Sequence, residues 1–282
     1  MRGTLLAPPG DDPHSIALIL AGSGPTDRNG NQPSAHTDKL KQLAHGLFAG
    51  GIATLRVDKR GIAASAPALS SEAELNFSQY VADAKAWLQM LRRQDRFKRI
   101  FIVGHSEGAL VATLAAQEEQ LDGIILIAGI GFPLAVTIRR QLTSIGLPDA
   151  LKTKAMEILA SLERGELVSP VPPELNALFR PSAQPYLISS LTLDPAAELA
   201  KANVPALVVQ GTTDLQVTVE DAKKLAASRD GVELVVIEGM NHTLKAAPPD
   251  RNQQTSTYID PDIPLVPELV PRIADFIRRN EN

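Results

Sequence analysis

The sequence predicts an α/β protein: a doubly wound, mostly parallel sheet with a helical cap inserted between core strands. Three observations predict it. Runs of Val, Ile and Leu without polar alternation recur along the chain, as strands buried on both faces require. Stretches with apolar residues at helical spacing separate them, and regular alternation of strand and helix marks a parallel sheet covered on both sides. One long segment, residues 131–203, breaks the alternation and has a different texture.

The elements follow in order. Thr4–Ala7 reads as an edge strand and Ser15–Ala21 (SIALILA) as a buried one. Between Ala35 and Ala49, residues Leu40, Leu43, Ala44, Leu47 and Phe48 share one helical face. Strand Ile52–Val57, a helix over Ser78–Arg93 with Val81, Ala84, Leu88 and Leu91 inward, and strand Arg99–Val103 come next. A helix from Ser106 to Gln117 and strand Gly123–Ala128 follow. After the interruption come strand Ala206–Gln210, helix Val219–Ala227, strand Glu233–Ile237 and a final helix over Pro271–Arg279. The expected division is therefore a core of residues 1–130 and 204–282 and a helical cap of 131–203. Within that cap Leu151, Ala155, Ile158, Leu159 and Leu162 form an amphipathic stripe, followed by five prolines between Pro170 and Pro185. So long an insertion between strands is a cap or lid rather than a structureless loop. Residues 246–267, rich in proline, make a second excursion.

Composition narrows the function. The chain has 282 residues, 44% hydrophobic and 21% charged, enough to bury a sizeable core. A net charge of −4 provides no global field for nucleic acid or anionic membrane. The cluster Arg92, Arg93, Arg96, Lys98 and Arg99 reads as the solvated end of a helix, where cations suit the dipole. There is no cysteine, which removes disulfides, thiol nucleophiles and thiolate metal sites. Residues 1–8 hold no apolar leader core or cleavage site, which favours the cytoplasm; a leader removed earlier would allow a periplasmic or secreted protein. No apolar stretch is long enough to span a bilayer.

The most informative segment is Gly104-His105-Ser106-Glu107-Gly108, placed where a strand meets a helix. A serine on such a sharp turn is held in a strained backbone conformation that exposes its Oγ, and flanking glycines prevent clashes with neighbouring chain. The following helix directs free N–H groups and its positive end toward the same point. A serine hydroxyl becomes a nucleophile when a histidine takes its proton and an acid orients that imidazole. On this architecture the order is serine, acid, histidine, each after a later strand. Strand Ala206–Gln210 leads into Gly211-Thr212-Thr213-Asp214, and strand Glu233–Ile237 into Glu238-Gly239-Met240-Asn241-His242. Ser106, Asp214 and His242 are therefore the candidate catalytic residues; a helix-capping Asp214 and a surface-loop His242 are the plain alternatives.

Backbone N–H donors for an oxyanion are expected from Glu107, just after the nucleophile, and from Ser23 in the loop Ala21–Arg28. A simple glycine turn is the alternative for that loop. It is not a phosphate loop, having no lysine, and Pro25 lacks an N–H. His105 is expected to pack rather than react; His14, His36 and His45 are weaker candidates. No histidine pair has metal-ligand spacing, so no metal and no cofactor is expected.

Together these residues resemble the α/β-hydrolase superfamily, in particular its bacterial serine-aminopeptidase-like and dienelactone-hydrolase-like hydrolases. The similarity rests on LILAGSGPTDRNGN (18–31), LRVDKRGIAAS (55–65), VGHSEG (103–108), QGTTDLQV (210–217) and GMNHTLK (239–245). It implies the α/β-hydrolase fold, with Ser106 as nucleophile, Asp214 as acid, His242 as base, and Ser23 and Glu107 as oxyanion donors. It also implies that Asp58 and Arg60 brace loops beside the site through an ion pair. Departures are Ala21-Gly22 where such proteins carry His-Gly, and Ile62-Ala63-Ala64-Ser65 where a glycine-containing stretch is usual.

The expected reaction is cofactor-free hydrolysis of a carboxylic ester, a small-molecule substrate, through an acyl-enzyme on Ser106. Activity is expected to fall on acidification, because only neutral imidazole is a base. An aminopeptidase using the same triad is the alternative within the class, with Glu157, Glu163, Glu166 or Glu174 of the cap meeting a substrate amine. A non-catalytic binding protein on this scaffold is the alternative outside it. Substrate selectivity is expected to come from the cap. Oligomeric state leaves no mark in the sequence.

Overall fold

The computed structural model describes residues 1–10 and 14–281. Seven strands form one sheet: β1 (Gly3–Leu6), β2 (His14–Leu20), β3 (Ala53–Val57), β4 (Phe97–His105), β5 (Gly123–Ile127), β6 (Ala206–Gly211) and β7 (Val232–Ile237), in the order β1-β3-β2-β4-β5-β6-β7. Only β1 is antiparallel, pairing Leu5 with Leu55 on β3 at the sheet edge. The helices are α1 (Lys39–Ala49), α2 (Phe77–Arg92), α3 (Glu107–Ala116), α4 (Leu134–Ser144), α5 (Asp149–Glu163), α6 (Asn176–Phe179), α7 (Gln184–Ser190), α8 (Pro195–Lys201), α9 (Val219–Ala226), α10 (Thr255–Ile259) and α11 (Leu269–Arg279).

Strand periodicity divides the apolar residues between two layers, since successive side chains point to opposite faces. Ile16, Leu18, Leu20, Ile102 and Leu126 pack with α2, α3, α8 and α9. Ala17, Ile19, Val103, Ile125 and Val209 pack with α1 and α11. The central strands are thus apolar along their buried middles, Ile16–Leu20, Ile100–Val103, Gly123–Ile127 and Ala206–Val209. By contrast β7, at the other edge, has neighbours on one side only and leaves Val236 40% exposed. Helices α4 to α7, between β5 and β6, gather a third apolar cluster of their own around Ile138, Leu159 and Phe179.

Three local expectations are corrected. The helix expected from Ala35 begins at Lys39, because Asp38 sits at φ 49° and the Asn31 side-chain oxygen accepts the N–H groups of Thr37 and Asp38 at 2.8 and 2.9 Å. The basic cluster is not one helix end: α2 stops at Arg92, whereas Lys98 and Arg99 lie on β4, with Arg99 paired to Asp122 at 3.0 Å. Finally, Asp58 and Arg60 do not pair with each other. Asp58 pairs with Arg28 at 3.1 Å, and Arg60 takes both oxygens of Asp83.

The topology determines where a site can form. The chain passes from β2 outward to β3, then returns to the other side of β2 as β4. Loops after β2 and β4 therefore diverge, leaving a crevice at the carboxyl ends of the strands.

Candidate active site

Ser106 lies in that crevice, between the end of β4 and the start of α3. Its φ of 56° and ψ of −120° are strained for a residue with a side chain. Close packing holds the turn: a Cβ on Gly104 would lie 2.1 Å from the Gly108 carbonyl oxygen, and one on Gly108 would lie 2.7 Å from that of Leu20. The apolar helix α3 is buried along most of its length, which anchors the turn from behind.

Asp214 follows β6 and is buried. Its carboxylate is saturated: Oδ1 accepts the N–H groups of Gln216 and Val217 at 2.8 and 3.0 Å. Oδ2 accepts His242 Nδ1 at 2.8 Å and Gln210 Nε2 at 3.2 Å. Burial opposes ionisation, but the histidine and the two backbone donors outweigh it and hold this carboxyl below its ordinary range. The histidine loop after β7 is held in turn by Asn241. Its side-chain oxygen accepts from Thr243 and Lys245 N–H, and its amide donates to Thr257 at 2.7 Å.

Asp214 and His242 are thus joined by a hydrogen bond across 28 positions of sequence. Ser106 and His242 line one cleft of about 520 Å³, counting its open mouth, without a hydrogen bond between them. Serine–histidine bonds are often loose without substrate. The N–H groups of Ser23 and Glu107 have no acceptor among the described residues. His105, expected to pack, also holds the backbone: its Nε2 lies 3.0 Å from the His242 carbonyl oxygen.

Four residues around the site escaped sequence reasoning. Gln210 and Asn241 hold the loops of Asp214 and His242; a buried amide in an otherwise apolar strand was the available signal for Gln210, whereas Asn241 lies in the loop after β7 and offered none. Lys59 is enclosed behind Ser106, donating to the carbonyl oxygens of Gly22 and Gly24 at 2.5 and 2.8 Å and lying 3.5 Å from the Glu107 carboxylate. Burial lowers its pKa, opposed by Glu107. Lys39, the first residue of α1, lines the cleft itself.

The cleft walls come from residues 22–39, from Gln216 and from Tyr258, with none from 131–203. The segment expected to set selectivity thus contributes no lining residue to this cleft. The cap glutamates are also committed elsewhere: Glu157 to Lys154, Glu163 to Arg139 and Glu166 to Arg164, with Glu174 exposed. Among the described residues there is no cluster of three or more acidic or histidine side chains able to hold a metal, and no helix long and apolar enough to cross a membrane.

A mostly parallel seven-stranded sheet with a serine elbow after the strand beside the switch point defines the α/β-hydrolase fold, and the structure has that fold. The family described as serine aminopeptidase, S33, matches residues 34–157. Esterase EstD of Thermotoga maritima is 27% identical over 250 residues, covering 86% of this chain and 58% of that protein, so the chain spans less than two thirds of that relative. Among solved structures, Est1E from Butyrivibrio proteoclasticus with ferulic acid bound superposes with a TM-score of 0.62 at 17% identity, over 99% of this chain and 94% of that one. The α/β hydrolase GrgF from Penicillium sp. sh18 gives 0.61 at 18% identity, over 99% of each chain. The Pyrococcus furiosus esterase Pf2001 gives 0.56 at 17%, over 96% and 85%.

Proposed function

We propose that the protein is a serine hydrolase that cleaves carboxylic esters through an acyl-enzyme on Ser106. One observation carries the reading: a buried, fully hydrogen-bonded Asp214 holds His242 by Nδ1 in the cleft that contains Ser106 at a strained elbow. A carboxylate at Nδ1 keeps that hydrogen in place, leaving Nε2 as the base.

His242 takes the Ser106 proton as Oγ attacks the ester carbonyl. The negative charge on the tetrahedral intermediate falls to the N–H groups of Ser23 and Glu107. His242 then protonates the departing alcohol, and a water deprotonated by the same imidazole releases the acid and restores the serine. Ester rather than amide hydrolysis is favoured because, of the four glutamates that could meet a substrate amine, Glu157, Glu163 and Glu166 are paired with cations and none, Glu174 included, lines the cleft. The likeness to esterase EstD points the same way. In this reading residues 131–203 form a cap on a core of 1–130 and 204–282, a division supported by the separate apolar cluster of α4 to α7, while α8 packs on the core.

The test is hydrolysis of 4-nitrophenyl esters from acetate to decanoate by the wild type and by Ser106→Ala, together with labelling by a fluorophosphonate probe. Turnover and labelling in the wild type, both lost in the variant, are expected. An accessible Ser106 that is neither labelled nor active would overturn the enzyme reading in favour of a binding protein.

A further inference from the structure

The cleft contains a positive charge that the mechanism above does not use. Lys39 is only 9% exposed, yet its ammonium has no hydrogen bond and no ion pair among the described residues. Enclosed lysines elsewhere are satisfied: Lys59 by two carbonyls and Glu107, and Lys245 by the Asp260 carbonyl at 2.6 Å. The adjacent surface lysine, Lys41, pairs with Asp38 at 2.8 Å. The Lys39 stem is fixed against Gly30, where a Cβ would lie 2.7 Å from Lys39 Cγ. Held by its stem, the side chain contributes to the wall that also includes Ser23 and Ser106.

Removing an ammonium from water without a partner is costly, and an anion entering the cleft would offset that cost. The neighbouring polar groups identify which anion. Thr37 Oγ1 donates to the Gly30 carbonyl at 2.9 Å, Thr26 Oγ1 to that of Ser23 at 2.7 Å, and Gln32 Nε2 to Thr26 Oγ1 at 2.7 Å. These three donors are already engaged; apart from the donors proposed for the oxyanion and the hydroxyls of Ser23, Ser106 and Tyr258, the wall offers the single positive charge of Lys39. That matches a carboxylate rather than a phosphate dianion, which needs several donors.

We propose that Lys39 forms a carboxylate-binding subsite, so that the enzyme selects esters bearing a free carboxylate on the acyl or the alcohol side. The inference rests on the serine-esterase reading for its chemistry, and the subsite can be tested apart from it. Burial lowers the Lys39 pKa to about 8, opposed by Asp214 and Asp27 and reinforced by Lys245. The imidazoles of His105 and His242 and the phenol of Tyr258 are the other titratable groups lining the cleft. At neutral pH the lysine is mostly charged, and the charge is lost as pH rises through about 8.

Two pairs of substrates test it. On the acyl side, 4-nitrophenyl hexanoate is compared with the mono-4-nitrophenyl ester of adipic acid. On the alcohol side, phenyl butyrate is compared with 4-carboxyphenyl butyrate. In one arm the wild type should favour the carboxylate by tenfold or more in kcat/KM, and that arm locates the subsite. Lys39→Met should abolish the ratio and Lys39→Arg retain part of it, whereas general damage would lower both members equally. In the wild type the ratio should also fall between pH 7 and 9, which needs no variant. No carboxylate preference in either arm, or a ratio unmoved by Lys39→Met, would overturn the subsite. If the wild type cleaves none of these esters, the esterase reading fails, and calorimetry of adipate and 4-hydroxybenzoate on Ser106→Ala decides the subsite alone. Binding of either that is lost in Ser106→Ala/Lys39→Met supports it; absence of binding refutes it.

Discussion

His105 holds the carbonyl oxygen of His242 at 3.0 Å from its Nε2, with the two imidazole centroids 4.8 Å apart. A carbonyl only accepts, so Nε2 carries the hydrogen and Nδ1 is left bare and buried, without a partner. Burial, reinforced by Lys39 and His242, keeps the His105 pKa well below the usual histidine value. The residue before the proposed nucleophile thus holds the backbone of the proposed base.

Replacing His105 by Phe keeps the packing and removes the donor. The expected loss is about 1–2 kcal/mol of stability, read from denaturant unfolding at pH 7. Because the folded pKa is lowered, the stabilising contribution is complete above the unfolded value near 6.5 and is lost as pH falls from there toward the folded value. The wild type should therefore lose stability below about pH 6.5, and His105→Phe should lose part of that slope. Identical slopes would show that His105 is not held neutral in the fold.

Lys59 ties the carbonyls of Gly22 and Gly24 to the start of α3, and so sets the position of the Ser23 N–H relative to that of Glu107. An oxyanion donor counts most in the transition state. Lys59→Met should lower kcat on 4-nitrophenyl esters by roughly 10- to 100-fold with a much smaller change in KM. A rise in KM at constant kcat would assign Lys59 to ground-state binding.

Asp221 joins the interrupting segment to the core. Its buried carboxylate accepts the Gly131 N–H at 3.0 Å and the Thr218 hydroxyl at 2.8 Å, and pairs with Arg140 at 2.8 Å. Burial opposes its ionisation, but these partners prevail and lower its pKa from 3.8. Asp221→Ala should cost about 2–4 kcal/mol at pH 7, leaving the Gly131 N–H, the Thr218 N–H and hydroxyl, and Arg140 without this acceptor. The contribution is present above the unfolded pKa of 3.8 and disappears as pH falls through the lower folded value. Unfolding curves of the two proteins should therefore converge at strongly acidic pH, and a constant gap would contradict the linkage.

The central strands, from SIALILA near the N-terminus to Ala206–Val209, were legible because a strand buried on both faces is a continuous apolar run. A few adjacent residues carry that signal. The elbow was legible for the same reason, since Gly104, Ser106 and Gly108 are neighbours in the chain. The order serine, acid, histidine could be read because the fold places each loop after a known strand. Helix α1 was misread at Ala35 because the residue that ends the preceding turn, Asn31, acts on Thr37 and Asp38 from six and seven positions away.

What the tertiary structure alone decided are relationships between distant segments. Arg28 reaches Asp58 and Arg60 reaches Asp83. The cleft is walled by residues 22–39 and Tyr258 instead of 131–203, and Lys39 is enclosed there without a counter-charge. A side chain's burial and its nearest charge depend on which loops converge, and loops that meet across the carboxyl ends of a sheet share no local pattern.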